Sequence, residues 1–228
     1  MNGSGLWRAS LAIAAKDVAI EWRTKTAFIS SMVFAVLVLA VLYFARDATA
    51  VASIDIAPGA LWVTFTFAAM VGLNRAFLLE RENHALDGML LTPAPPTAIF
   101  LGKVLANLAF VGAVEAISLP LFTLFYDVPV WRQLPQLVLV VVMATVAFVP
   151  VGTLLSSMVV RTRFSESMLP VLLLPFLVPP LVGAVQLTSR LLAGRPLSDL
   201  PEWVRLLAVF DVVFFILPLL LFEATLDE

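Results

Sequence analysis

The side chains of this chain that could do chemistry are few and far apart. One histidine, His84, and no cysteine occur in 228 residues, which excludes thiolate metal sites and a cysteine nucleophile. A Ser–His–Asp arrangement would have to use His84. The phosphate-binding pattern GxxxxGK[ST] does not occur, so we expect no ATP hydrolysis by this chain. The sequence therefore predicts a protein that is not an enzyme and holds no metal or cofactor directly.

A second group of polar side chains interrupts long apolar stretches of the sequence. These residues are Lys103, Asn107, Glu115 and Asp211. A carboxylate is costly in lipid, so Glu115 and Asp211 should face a bundle interior, a cavity or a partner. They either belong to a substrate or conformational pathway, or make plain helix-to-helix hydrogen bonds. Together with Ser118, the three polar residues at 103–115 fall roughly on one helical face, which indicates a polar seam.

The composition identifies lipid as the solvent for most of the chain. Hydrophobic residues make up 61% and charged residues 13% of the sequence, whereas soluble domains carry about 25% charged residues. About 20 apolar residues cross a bilayer as a helix. The sequence predicts an all-α integral membrane protein whose six transmembrane helices lie at 26–45, 56–77, 99–126, 133–160, 168–189 and 203–222. The net charge of −2 does not favour a nucleic-acid partner.

Lysines and arginines predict the orientation of these six spans. With the N-terminus inside, nine of the 14 basic residues lie on the inner side and five on the outer side, which favours cytoplasmic N- and C-termini in a bacterial inner membrane. The tyrosines and tryptophans near predicted outer ends would form an interfacial belt; they are Tyr43, Trp62, Tyr126, Trp131 and Trp203. Prolines inside the fifth span predict a hinge, a re-entrant pair or a static kink.

Residues 1–25 precede the transmembrane domain, which we place at 26–228. Apolar residues recur there at helical spacing, and they are Trp7, Leu11, Ala14, Val18 and Trp22. Charged residues fill most of the other faces. This pattern predicts an amphipathic helix that lies on the inner leaflet and contacts membrane lipids. A soluble helix packed on a partner is the alternative.

The loop at 80–96 is the most informative segment of the sequence. Its charged first part contains Glu80, Arg81, Glu82 and Asp87. Gly88 permits a turn, and the apolar tip that follows consists of Met89, Leu90 and Leu91. Pro93 and the prolines at 95 and 96 end the helix and stiffen the return. The loop is either a docking element for a soluble partner or an interfacial loop whose leucines enter lipid.

Several motifs around this loop resemble the haem exporter protein B family, CcmB. They are Trp62-Val63, Asn74-Arg75-x-Phe77, Glu80–Glu82, Asp87-Gly88-x-Leu90-Leu91-x-Pro93 and Gly102-Lys103. The family provides the membrane subunit of the cytochrome c maturation ABC transporter. The resemblance implies an ABC-2-like permease fold and makes the stretch from Glu80 to Pro93 the coupling loop that docks on an ATPase.

The resemblance also implies partner subunits, each with a separate role in the complex. Two copies of the chain would pair with two copies of an ATPase, the A subunit, which binds ATP. A haem-handling membrane subunit (C), a small single-span subunit (D) and, indirectly, a periplasmic haem chaperone (E) complete the system. The expected function is to couple ATP hydrolysis to haem delivery and release of the loaded chaperone. His84 lies in the inner loop, which argues against it as a haem ligand.

Two other functions remain open at this point. An ABC-2-type export permease for a lipid-linked glycan or drug would share the loop and the fold. A membrane-embedded lipid-modifying enzyme could use Asp87, Glu115 or Asp211 as catalytic carboxylates.

Overall fold

The computed structural model describes residues 3–46, 51–75, 95–128, 130–159 and 165–226. These residues form seven α-helices and two short 3₁₀ turns, with no β-strand among them. The helices are α1 (Gly3–Thr24), α2 (Thr26–Ala45), α3 (Ser53–Arg75), α4 (Pro96–Tyr126), α5 (Leu134–Val159), α6 (Ser165–Leu192) and α7 (Pro201–Leu226). The 3₁₀ turns are Val130–Gln133 and Leu197–Asp199. The predicted coupling residues from Glu80 to Pro93 lie outside the described residues.

Six of the described helices, α2 to α7, are long and apolar enough to cross a membrane. The prediction of an all-α, multi-span membrane protein is therefore confirmed. Helix α2 matches the predicted first span residue for residue, because an uncharged stretch of 20 residues is bounded by Lys25 and Arg46. Helix α6 runs unbroken through Pro170, Pro175, Pro179 and Pro180. The re-entrant alternative for this span is wrong, since a membrane helix tolerates prolines where neighbouring groups compensate.

Helices α3 and α5 form the centre of the bundle. Buried residues make up 72% of the apolar window of α3 and 67% of that of α5, against 17–33% for the other four spans. One large core cluster surrounds Trp62, Phe65 and Tyr126. A second surrounds Phe100, Phe148 and Phe222. Polar side chains that face α3 or α5 are consequently enclosed by protein on several sides.

Two of the five predicted belt aromatics are buried instead. Helix α3 begins at Ser53, earlier than the sequence predicts, so Trp62 lies well inside it. Its Nε1–H donates to Thr188 Oγ1 on α6 at 2.9 Å. Tyr126 is fully buried, and its hydroxyl donates to the Leu39 carbonyl at 3.3 Å. Both rings therefore pack between helices, whereas Trp131 is exposed.

Candidate functional site

Helix α4 carries the polar seam that the sequence predicts. All four members of the seam are buried, and they are Lys103, Asn107, Glu115 and Ser118. At 100° per residue their side chains span about 120° of the helix surface. Each contacts a different neighbouring position on α1, α2 or α5. The seam is thus a line of separate interhelical contacts along one face of α4.

Glu115 bonds α4 to the central helix α5. Thr145 Oγ1 lies 2.7 Å from Glu115 Oε1 and 2.8 Å from the Val141 carbonyl oxygen. A threonine hydroxyl carries one proton and can donate to one acceptor at a time. If the threonine hydroxyl donates to Val141, the contact with Glu115 is a hydrogen bond only when the glutamate carboxyl is protonated and donates to Thr145 Oγ1. The site therefore favours a neutral hydrogen-bonding group at position 115.

Replacing Glu115 by glutamine is expected to leave stability close to that of the wild type. The amide Nε2 can donate to Thr145 Oγ1 while the threonine hydroxyl donates to Val141. Thr145→Val removes both bonds of that hydroxyl and should lower the free energy of unfolding by about 1–2 kcal/mol. Unfolding of the purified chain in detergent measures both. A glutamine variant that is as unstable as the valine variant would show that position 115 needs an ionised carboxylate.

Asn107 and Ser118 make the other contacts of the seam with membrane spans. Asn107 Nδ2 donates to Thr153 Oγ1 on α5 at 2.9 Å, and the Thr153 hydroxyl donates to the Val149 carbonyl at 2.8 Å. Ser118 Oγ lies 3.9 Å from Met32 Sδ on α2. These are ordinary donor–acceptor pairs, and they support the helix-packing interpretation for both residues.

Lys103 joins α4 to the N-terminal helix α1. Its Nζ lies 2.8 Å from Asp17 Oδ2, and only 1% of the lysine is exposed. The preceding residue, Gly102, is in close contact with α1, because a Cβ atom there would lie 2.7 Å from Ile13 Cβ and 2.8 Å from the Ser10 carbonyl oxygen. Lys103 is therefore enclosed by protein, in an ion pair that the sequence analysis did not anticipate.

Asp211 lies apart from these contacts, on α7. It shares a face with Leu207, Pro218 and Phe222, which are all buried, yet Asp211 itself is partly accessible. Among the described residues, nothing forms a hydrogen bond with its Oδ1 atom, which is buried. Asp211 thus points toward the bundle with one unsatisfied oxygen, which water or a bound group would have to satisfy.

The structure brings three of the four predicted polar residues into one seam and adds partners that sequence patterns did not reveal. Those partners are Asp17, Thr145 and Thr153. The polar residues Ser10 and Asp17, seven positions apart on one face of α1, are the signal that could have identified the docked face. Within the described part of the chain, no cluster of three His, Cys, Asp or Glu residues could hold a metal ion.

Together, the six apolar helices and the buried polar contacts between them define a multi-pass membrane protein. Comparison with known proteins then gives the family. The CcmB protein family profile matches residues 8–227. The chain belongs to the CcmB family.

Curated relatives cover most of this chain. Heme exporter protein B of Pseudomonas aeruginosa is 26% identical over 195 residues, which is 84% of this chain and 86% of that protein. The protein of the same name from Rhodobacter capsulatus is 27% identical over 78% of this chain and 82% of its own length. That from Paracoccus denitrificans is 28% identical over 80% and 84%. The predicted resemblance is therefore confirmed.

Proposed function

We propose that this chain is the non-catalytic transmembrane subunit of an ABC transporter complex for cytochrome c maturation. A separate ATPase hydrolyses ATP, and this subunit couples the hydrolysis to haem delivery and release of the haem-loaded periplasmic chaperone. The family match over residues 8–227 is the observation that carries the proposal. The relatives named Heme exporter protein B give haem as the cargo of the system.

The ATPase docks on the loop from Glu80 to Pro93 in this proposal. Helix α3 ends at Arg75 and α4 begins at Pro96, so the loop joins these two membrane spans directly. Movement of a docked ATPase would reach the central helix α3 and the polar helix α4 together. The partners are two copies of the A subunit, a second copy of this chain, the C and D subunits and, indirectly, the chaperone E. The complex lies in the bacterial inner membrane with both termini of this chain in the cytoplasm.

Helix α1 lies in the inner leaflet in this arrangement. Trp7, Leu11, Val18 and Trp22 are exposed, and 74% of Trp22 is accessible. Apolar side chains of that size gain free energy from insertion among acyl chains. Arg8, Lys16 and Arg23 are also exposed on α1 and can contact anionic headgroups. The other face of α1 packs on α4, which supports an interfacial helix that belongs to this chain's own bundle.

Two roles follow for the polar groups inside the membrane. Lys103, Asn107 and Glu115 hold α4 to its neighbours, so that a movement of α4 changes specific hydrogen bonds rather than a uniform apolar surface. Asp211 is the position on α7 where water or a polar group of a partner can enter. Haem stays on the C subunit and the chaperone, and ATP stays on the A subunit.

Co-purification tests the proposed assembly. The chain is tagged at its C-terminus, extracted from native membranes in mild detergent, and its partners are identified by mass spectrometry. An ABC ATPase together with a haem-binding membrane protein is the expected result. An ATPase without haem-handling proteins would indicate an exporter of another substrate. Recovery of no ATPase in several mild detergents would contradict the proposal.

A further inference from the structure

The contact between α1 and α4 contains more than apolar packing. Gly102 lets the backbone of α4 approach Ser10 and Ile13 of α1 more closely than any larger residue would allow. Ser10 is fully buried in this contact. Near the N-terminal end of α4, the backbones of the two helices are therefore in close contact. Such tight packing opposes a sliding movement of one helix along the other.

The ion pair between Asp17 and Lys103 lies beside this close approach. Nζ and Oδ2 are 2.8 Å apart, and Asp17 is 13% and Lys103 2% exposed at the side chain. A charge-assisted contact at this distance is directional, so it holds Asp17 of α1 opposite Lys103 of α4. Lys16 contributes a second contact, with its Nζ 3.0 Å from Asp17 Oδ1.

The C-terminal end of α1 is hydrogen-bonded to α2. The Phe28 N–H, one of the unpaired donors in the first turn of α2, donates to Glu21 Oε1 at 2.8 Å. Between the helices, Lys25 adopts a left-handed conformation with φ of 54°. One turn of α1 separates Asp17 from Glu21, so the same helix contacts α4 and α2 through neighbouring carboxylates.

The ion pair between Lys103 and Asp17 lies close along α4 to the loop at 80–96. Helix α4 begins at Pro96, with Pro95 as its N-cap residue in an extended conformation. Lys103 follows Pro96 by two helical turns, which is about 10 Å along the axis. A displacement of the segment that precedes Pro95 would therefore reach Lys103 through a short, stiff piece of helix.

From these contacts we propose that Asp17 and Lys103 are positioning residues that make α1 and the first turns of α4 move as one body. Glu21 passes that movement to the start of α2, so that α1 links the first and third membrane spans. The transmission part of this proposal rests on the proposed coupling function. The attachment part concerns the fold and is independent of it.

Cysteine labelling tests the attachment in the full-length chain. The sequence has no cysteine, so a single introduced thiol gives no background. Ala14 is buried on the face of α1 that carries Ser10 and Asp17, and Ala15 is exposed, which makes Ala14→Cys the reporter and Ala15→Cys its matched control. In membranes, Asp17→Lys or Lys103→Asp should raise maleimide labelling at position 14 by more than about tenfold, and the double exchange should return it to the starting rate. Labelling that stays low in the single variants would overturn the proposal.

Cytochrome c formation in cells tests whether the contact transmits movement between the helices, in addition to its role in the fold. In a bacterial host whose own haem exporter protein B has been deleted and replaced by this chain with its cognate subunits, each single variant should form far less haem-stained cytochrome c while its membranes retain ATP hydrolysis by the complex. The double exchange should restore the output to within about twofold of the wild type. A double variant no better than either single one would overturn the transmission role. If the wild-type chain itself gives no cytochrome c, the proposed function fails, and the labelling result still decides the attachment.

Discussion

Trp62→Ala is expected to lower the free energy of unfolding by about 3–5 kcal/mol, because it leaves a large cavity in the best-packed part of the bundle. Only 1% of Trp62 is exposed, and its ring meets the Phe65 ring edge-on at 5.8 Å. The variant also leaves the Thr188 hydroxyl without its donor. Unfolding of the purified chain in detergent, followed by circular dichroism, gives the value.

Two further variants separate the contribution of ring packing from that of the indole hydrogen bond to the stability lost in Trp62→Ala. Trp62→Phe keeps most of the ring but loses the indole N–H, so a loss of about 1 kcal/mol is expected. Trp131→Ala removes the same side chain from an exposed position, where 62% of it is accessible, and should change stability by less than about 0.5 kcal/mol. Equal losses at positions 62 and 131 would contradict the packing described for α3 and α6.

Leu90→Asp is expected to release the ATPase from the tagged chain. The substitution places a carboxylate in the apolar tip of the loop, which the proposed function inserts into a groove of the partner. Desolvating an unpaired carboxylate is costly, and each 1.4 kcal/mol lowers affinity tenfold. Co-purified ATPase should fall by at least about tenfold, as measured against the amount of tagged chain recovered.

Thr92→Asp is the matched control for this experiment. It adds the same charge two residues away, outside the apolar tip of Met89, Leu90 and Leu91. We expect this variant to retain most of the ATPase. Equal loss in both variants would indicate a general effect of charge on the loop, and no loss in either would place the ATPase contact elsewhere.

Hydropathy predicted the membrane spans well because lipid imposes a simple rule on composition. The stretch from Thr26 to Ala45 is uncharged and is bounded by Lys25 and Arg46, and it became α2 without change. The prolines of α6 left a hinge, a re-entrant pair and a static kink open, because periodicity and propensity cannot tell which freed backbone groups neighbouring helices will satisfy. Four prolines in 28 residues still belong to one helix there.

The seam on α4 was predicted because its residues share one helical face, a property of spacing within a single segment. Its partners were not predicted, because Asp17 and Thr145 are distant in sequence from Lys103 and Glu115. Only packing brings such residues together. Trp62 shows the same limit: its sequence position suggested a membrane interface, but packing of α3 against α6 buries its ring and pairs its indole N–H with Thr188.

Formation of cytochrome c in living cells tests the central claim most directly. The chain is expressed in a bacterial host whose own haem exporter protein B has been deleted, together with its cognate A, C, D and E proteins. Covalent haem in periplasmic c-type cytochromes is stained on denaturing gels. The proposed function predicts that the complete set restores the stained bands and that omission of this chain abolishes them. Bands of equal strength with and without the chain would contradict the account.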